Sequence, residues 1–303
     1  MSTVEPTPFF GTAGFPPNFF AVHKKRENIF SWLEDLNLDW IELQCTRGVK
    51  MKAEQARLYR EMARQHKIGI SIHGPYFISL ASDNEDVVER SRERIIQCVA
   101  LASELGTGRI VFHPGYFPGK TQNDRRAAVE QIVRELNGLK HDIPKGIYLL
   151  PETAGKCSQI GSLDEIIEIC QRVEFAQPCI DLAHVHAFNQ GGLWTEQDIS
   201  ATLCRVGEQL GSKCLDRLHI HMYPVDFGAS GEKKHKAFDD RIETCEQLSI
   251  FGGLEQQNMF FPRAEHFIAV VKKLNIHPVV ICEAYNTQDV GAALMKKIYF
   301  DGD

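Results

Sequence analysis

The chain has 303 residues, 43% hydrophobic and 24% charged, which is the balance of a globular protein with a sizeable core and excludes a disordered chain. A formal charge of −6 excludes broad basic coating of a nucleic acid, but leaves room for a local basic groove and for bound divalent cations. No run approaches the roughly 20 apolar residues of a membrane span, and MSTVEPTPFF lacks the basic and apolar regions of a signal peptide. Nine scattered cysteines with no CxxC pair read as reduced thiols, so the expected location is cytoplasmic, away from membranes.

In chain order, short β-rich apolar runs predict strands at Phe9–Gly14, Trp40–Cys45, Ile68–His73, Gly108–His113, Ile147–Glu152, Pro178–Asp181, Arg217–Met222 and Val279–Glu283. Between them, periodic segments predict helices at Met51–His66, Asn84–Leu105, Asp124–Leu139, Leu163–Val173, Thr195–Leu210, Pro262–Leu274 and Thr287–Ile298. Ser82-Asp83 is placed to cap the second of these, and Ser162 with Glu165 makes a capping box for the fourth. Eight alternations without a break in composition predict an α/β fold, a single (β/α)8 TIM barrel over residues 1–303. One connection breaks the compact rhythm: the strand-7/helix-7 segment Tyr223–Phe261, rich in Gly, Lys and polar residues, whose length reads as functional or disordered.

The chemistry gathers at the predicted strand ends. ISIHGPY ends on His73, IVFHPG on His113 and LLPETAGK on Glu152. CIDLAHVHAF carries Asp181, His184 and His186, LHIHMYP carries His219 and His221, and VVICEAYN carries Glu283. A lone histidine or carboxylate after a strand is ordinarily a packed, capping or solvated residue. Recurrence on six strand ends is not explained that way, because in a (β/α)8 barrel those ends converge on one pocket. Imidazole and carboxylate without thiolate suits zinc or manganese. So many ligands exceed one tetrahedral ion and point to a shared multinuclear site, the arrangement that serves phosphoester hydrolysis.

In this order His-Gly-Pro-Tyr at 73–76, Phe-His-Pro-Gly at 112–115, Glu-Thr-Ala-Gly at 152–155, Asp-x-x-His at 181–184 and Cys-Glu at 282–283 resemble endonuclease IV. These are the family-2 apurinic/apyrimidinic endonucleases among the xylose-isomerase-like barrels. The resemblance runs from about Phe9 to Tyr299. It implies two or three zinc ions, with manganese as the alternative, and double-stranded DNA with abasic sites as the partner of a monomer. His73, His113 and Glu152 would hold the first ion. Glu152 would bridge to a second, held also by Asp181, Glu283 and a strand-seven histidine. His221 is preferred there because it lies nearer the mouth than His219, on the same face.

The family's third ion takes the histidine of Asp-x-x-His, here His184, and an Asp-x-His pair. His235 supplies the second histidine, but Lys233 stands at the aspartate position, leaving Glu232, His186 or water to complete the site. For DNA contact the matching positions are Tyr76 and Phe77, with Arg47 after the second strand. Lys156, Lys233, Lys234 and Lys236 are further candidates for phosphates.

The implied activity is cleavage of DNA 5′ to an abasic site in base-excision repair, with Glu152 and Glu283 as catalytic carboxylates. The competing reading is a sugar isomerase or epimerase of the same superfamily. It would use Glu152, Asp181, His221 and Glu283 around one metal ion, and has no need of His73, His113 or His235.

Overall fold

The computed structural model describes residues 6–117, 121–242 and 259–301. Seven strands come first: β1 Phe9–Ala13, β2 Trp40–Gln44, β3 Gly69–His73, β4 Arg109–Phe112, β5 Tyr148–Pro151, β6 Cys179–Asp181 and β7 His219–His221. A hairpin, β8 Val225–Gly228 and β9 Gly231–His235, follows, and β10 Val279–Cys282 completes the set. The eight barrel strands run parallel in the order β5-β4-β3-β2-β1-β10-β7-β6, and single bridges Leu149↔Ala176 and Glu152↔Cys179 join the two ends. The (β/α)8 barrel expected from the alternation is the observed fold, and every predicted strand is present.

The main helices α3 Ala53–His66, α4 Glu85–Leu105, α5 Gln122–Gly138, α6 Leu163–Arg172, α8 Glu196–Leu210, α9 Ala264–Leu274 and α10 Gln288–Asp301 match the seven predicted segments. Three short ones were not foreseen. α1 Pro17–Val22 and α2 Ile29–Asp35 lie between β1 and β2 and are too short to show a period. α7 Leu182–Phe188 buries all but one of its residues, so it has no polar face to betray it.

The capping box of Ser162 and Glu165 forms on α6, and equivalent boxes form at Thr121/Asp124 on α5 and Thr195/Asp198 on α8. On α4 the cap is Asn84, which accepts from Asp86 N, rather than Ser82 or Asp83; Ser82 instead accepts from Asn84 N. Within the 223–261 connection, β8 and β9 project over the barrel mouth and Val225 N donates to Phe261 O at 2.9 Å. Its middle, 243–258, lies outside the described residues.

The apolar core fills the layer between sheet and helices, with Phe10, Ile41, Ile72, Ile110, Leu149 and Ile180 facing outward from the strands. The barrel interior is different. Val111, Leu150 and Cys179 form one small apolar plug, while Glu42, Ser71 and His219 are buried at a similar height. A polar interior means hydrogen-bonded side chains continue from the core to the site above it. Among the described residues no helix is long and apolar enough to cross a membrane.

Candidate metal centre

Glu152, at the end of β5 and 1% exposed, stands at the centre of the histidines that the sequence singled out. Its Oε2 lies 3.0 Å from His73 Nε2 and 3.2 Å from His113 Nε2, and its Oε1 lies 2.9 Å from His221 Nδ1. One carboxylate therefore faces two sides. On the second side Asp181 Oδ2 and Glu283 Oε1 come within 3.8 and 3.6 Å of His221 Nδ1. Asp181 Oδ1 is occupied, accepting from His184 N as the N-cap of α7, but Oδ2 is buried without a hydrogen-bond partner, 3.3 Å from His184 Nδ1. A buried carboxylate oxygen left without a hydrogen bond is one that a cation would satisfy.

The backbone sets which ring nitrogen three of the histidines present. His73 Nδ1 donates to Gly74 O at 3.0 Å, His184 Nδ1 to Thr153 O at 2.9 Å and His235 Nδ1 to Glu283 O at 2.9 Å. Each is left with Nε2 aimed into the pocket, which is how ligating histidines are oriented. His221 is turned the other way, with Nδ1 toward Glu152 and Nε2 3.0 Å from Glu42 Oε1.

The sequence reading missed Glu42, a fully buried carboxylate on β2. It accepts from His219 Nε2 at 2.8 Å and from Ser71 Oγ at 2.9 Å, and Ser71 accepts from Trp40 Nε1 at 3.1 Å. His219 thus lies beneath His221, as the alternation of strand seven implied, and is tied to Glu42 rather than to the pocket. Burial works to raise the Glu42 pKa, but His221 and His219 outweigh it and hold the carboxyl well below its usual range.

A third group forms outside the first two. His184 Nε2 lies 3.2 Å from Glu232 Oε2, and His235 Nε2 lies 2.9 Å from Glu232 Oε1. Glu232 and His235 are three residues apart on β9, where strict alternation would put them on opposite faces. A β-bulge corrects this: Asp226 pairs with Lys234 and Phe227 with Glu232, so Lys233 is the extra residue and is exposed. The hairpin is docked on the loop after β5, where Glu232 N donates to Gly155 O at 2.8 Å. A Cβ at Gly155 would stand 2.6 Å from His184 Cδ2 and 2.8 Å from Glu232 Oε2, so only glycine fits there.

Of the three candidates to complete this group, the structure brings in Glu232. It excludes His186, whose Nδ1 accepts from Leu193 N at 2.9 Å and whose ring packs among Trp194, Phe227 and Phe261.

The donor sets fit divalent cations. His73–His113–Glu152, Glu152–Asp181–His184, Glu42–His221–Glu283 and His184–Glu232–His235 each bring their ligand atoms within 4.8 Å of one another. Electrostatics agrees. Burial, with Glu152 and Glu283 nearby, pushes the Asp181 carboxyl up to about 7, a cost that a cation would relieve. Burial also pushes His113 down to about 4, keeping it the neutral imidazole that ligates.

The remaining predicted positions line the rim. Tyr76 and Phe77 are 58% and 60% exposed beyond His73, and Arg94 lies over the Phe77 ring at 5.8 Å. Arg47 is exposed on a groove of about 590 Å³ beside the mouth, together with Arg26, Lys50, Gln44, Phe15 and Phe20. Arg26 and Lys50 were not singled out from sequence, nor was Tyr285, an exposed aromatic after β10 with Lys234 Nζ 4.4 Å over its ring. Lys156 is exposed on the loop after β5.

Residues 30–297 match the Xylose isomerase-like TIM barrel family. An uncharacterised protein of Methanocaldococcus jannaschii is 32% identical over 234 residues, 75% of this chain and 80% of its own. A protein of Aquifex aeolicus named probable endonuclease 4 is 23% identical over 253 residues, 80% of this chain and 86% of its own. Among solved structures, endonuclease IV from Thermus thermophilus superposes with a TM-score of 0.66 at 15% identity, over 98% of this chain and 100% of that one. D-psicose 3-epimerase superposes with a TM-score of 0.63 at 14% identity, over 97% and 99%. At such identities the two superpositions establish the fold and leave function to the site.

Proposed function

The chain belongs to the xylose isomerase-like TIM barrel family, and we propose that within it this protein is a metal-dependent phosphodiester hydrolase of the endonuclease IV kind, cleaving double-stranded DNA 5′ to abasic sites. One observation carries the reading. The tetrad Glu152, Asp181, His221 and Glu283, which one metal ion in a sugar epimerase would need, is flanked by His73 and His113, which group with Glu152, and by a separate group His184–Glu232–His235. The rim supports it too, since exposed Tyr76, Phe77 and Tyr285 with Arg26, Arg47 and Lys50 offer stacking and phosphate contacts beside the pocket. The resemblance to proteins named probable endonuclease 4 points the same way.

His73, His113 and Glu152 would hold one ion, Glu152, Asp181, His221 and Glu283 a second, and His184, Glu232 and His235 a third. Zinc is favoured by the nitrogen and oxygen donors, with manganese as the alternative. Bound ions would supply Lewis acidity at the phosphate and lower the pKa of the attacking water.

The side chains do the rest. Glu152, facing both inner groups, fixes their separation. Glu283 is 13% exposed at the side chain against 1% for Glu152 and 0% for Asp181, so its carboxylate is placed to orient an attacking water and accept its proton. Gly74 O and Thr153 O lock the rings of His73 and His184, so the pocket needs no rearrangement as charge builds on the phosphate. Tyr76 and Phe77 at the rim would fill the gap left by a missing base and exclude bulk water.

The test is incision of a duplex carrying one abasic site by the metal-loaded protein, with metal content measured alongside. Strand cleavage leaving a 3′-hydroxyl, with two or three ions per chain and loss in His113→Ala, supports the reading. Interconversion of ketoses with a single ion and no incision would replace it by the epimerase reading.

A further inference from the structure

At the opposite end of the barrel from the histidines, Trp40 of β2, Arg109 of β4, Tyr148 of β5 and Arg217 just ahead of β7 line a cavity of about 520 Å³. Arg60 and Arg64 of α3 complete its wall, and among the described residues no carboxylate lines it. This is unusual for a chain with 40 acidic and 34 basic residues. Of the four guanidiniums, Arg64 alone has a carboxylate within ion-pair distance among the described residues, Glu61 at 2.7 Å. Arg109 is the innermost: its Nη2 donates to Arg217 O at 2.9 Å, its Cζ lies 5.9 Å from the Trp40 ring, and its Nη1 is buried with no hydrogen-bond partner among the described residues. A guanidinium stays charged under these conditions, so an unpartnered buried N–H beside a like-charged neighbour carries a cost that an anion would offset. Gly69, Gly106, Gly108 and Gly146 add backbone to the lining.

Shape narrows the ligand class. A concave site of this volume matches a small molecule rather than a duplex or a helix. Guanidinium forks converging without a carboxylate match phosphate oxygens, which they bind in pairs.

We propose that this cavity is a binding site for a small phosphate-bearing anion, held by Arg109 at its base and by Arg60 and Arg217 at its rim. The site is separate from the metal centre, and the proposal does not depend on the hydrolase reading. Two sources share the chemistry, a free oligophosphate and a nucleoside phosphate, so the probes are pyrophosphate and ADP.

Hydrogen exchange of the full-length, metal-loaded protein with either probe should show protection in segments 106–109 and 146–148. Titration calorimetry should show the matching affinity fall at least about tenfold in Arg60→Glu/Arg217→Glu, because two converging charges are reversed. Both residues are exposed, so the thermal unfolding transition of the double variant should stay at the wild-type position, reporting an intact fold. Equal protection by the two probes identifies the phosphate alone as the recognised part, and tighter binding of ADP identifies a nucleoside phosphate. If neither probe protects these segments, or if the double variant binds as the wild type does, the proposal is wrong.

Discussion

Glu232 and His235 meet at 2.9 Å from positions three apart on one β-strand, and the bulge at Lys233 makes that possible. The Asp-x-His pair that the resemblance to endonuclease IV implies would place its two side chains on one face by simple alternation. Here one added residue is looped out and the same face is recovered with Glu-x-x-His. The resulting expectation is specific. Glu232→Ala should lose one metal ion per chain and reduce incision by about 100-fold or more, as loss of a direct ligand exceeds the 10–100-fold of an outer partner. Lys233→Asp, which installs the residue that the resemblance implies at that position, should stay within about 2-fold of wild type because the bulged side chain points to solvent. Metal analysis after dialysis, paired with incision rates, checks both.

Gly155 offers a way to disturb the same group from the backbone side. A methyl there meets His184 and Glu232 at distances real Cβ atoms do not show, and neither neighbour is free to retreat. His184 is fixed by Thr153 O, and Glu232 N is bonded to Gly155 O itself. Gly155→Ala is expected to cost about 1–3 kcal/mol of stability through overpacking and to release the metal that His184 would hold. Denaturant unfolding and metal content, measured on one preparation, would show the two losses together.

Glu42 is placed to act through His221. It lies beneath the pocket and touches the ring nitrogen that faces away from Glu152. Glu42→Gln keeps the shape, removes the charge and presents an amide N–H₂ where a carboxylate oxygen stood. Affinity for the ion that His221 would bind should fall by about 10–100-fold, the usual effect of losing a partner behind a ligating histidine. Chelator titrations of metal release would resolve it. An unchanged curve would mean that Glu42 only fills space.

The rim makes a separable prediction. Tyr76→Ala and Phe77→Ala should weaken binding of abasic duplex by about 1–3 kcal/mol each, the range of one lost aromatic–base stack. Metal content should be untouched, because both side chains stand outside the ligand groups. Arg47→Ala should instead lower affinity for any sequence and reduce the salt slope by about one. Fluorescence anisotropy at two or three salt concentrations distinguishes stacking from charge.

Much of this was legible because strands alternate with period two and barrel strands deliver their last inward residue to one mouth. His73, His113, Glu152, Asp181, His221 and Glu283 are all placed together on that logic. Glu42 escaped because a single glutamate inside WIELQ looks like an outward-facing residue. Only the pairing of Trp40, Glu42 and Gln44 with β1 and β3 turns it inward, toward a histidine 177 positions away in the chain. Glu232 was among the candidates, but no single-sequence signal marks a bulge, so the choice between it and His186 waited for the register. His186 shows the converse. It sits on α7, two residues from His184, yet it faces Trp194 and Phe227, because a short helix turns neighbouring residues to different sides.

Arg125 ties the outer frame to the loop that carries the site. Its Nε and Nη2 hold both oxygens of Glu165 at 2.7 and 2.8 Å, and Nη1 and Nη2 reach Cys157 O and Gln159 O at 3.2 and 2.8 Å. The guanidinium also lies over Phe117 and Phe188. Arg125→Ala should destabilise the fold by about 2–3 kcal/mol near neutral pH, the scale of charge-assisted hydrogen bonds left unmade. Arg125→Lys should recover only part, since an ammonium cannot grip both oxygens and two carbonyls.

The pH dependence follows from Glu165. Burial works to raise its pKa, but Arg125 and the Gly161 and Ser162 N–H groups outweigh it and leave the carboxyl below its usual value. A carboxyl with a depressed folded pKa stabilises above its unfolded value, about 4.3, and that contribution disappears as pH falls through the folded one. The gap between wild type and Arg125→Ala in urea unfolding should therefore be full at pH 7 and narrow steadily below about pH 4. A gap that stays constant down to acid would assign the stabilisation to the carbonyl and aromatic contacts of Arg125 instead of to its pairing with Glu165.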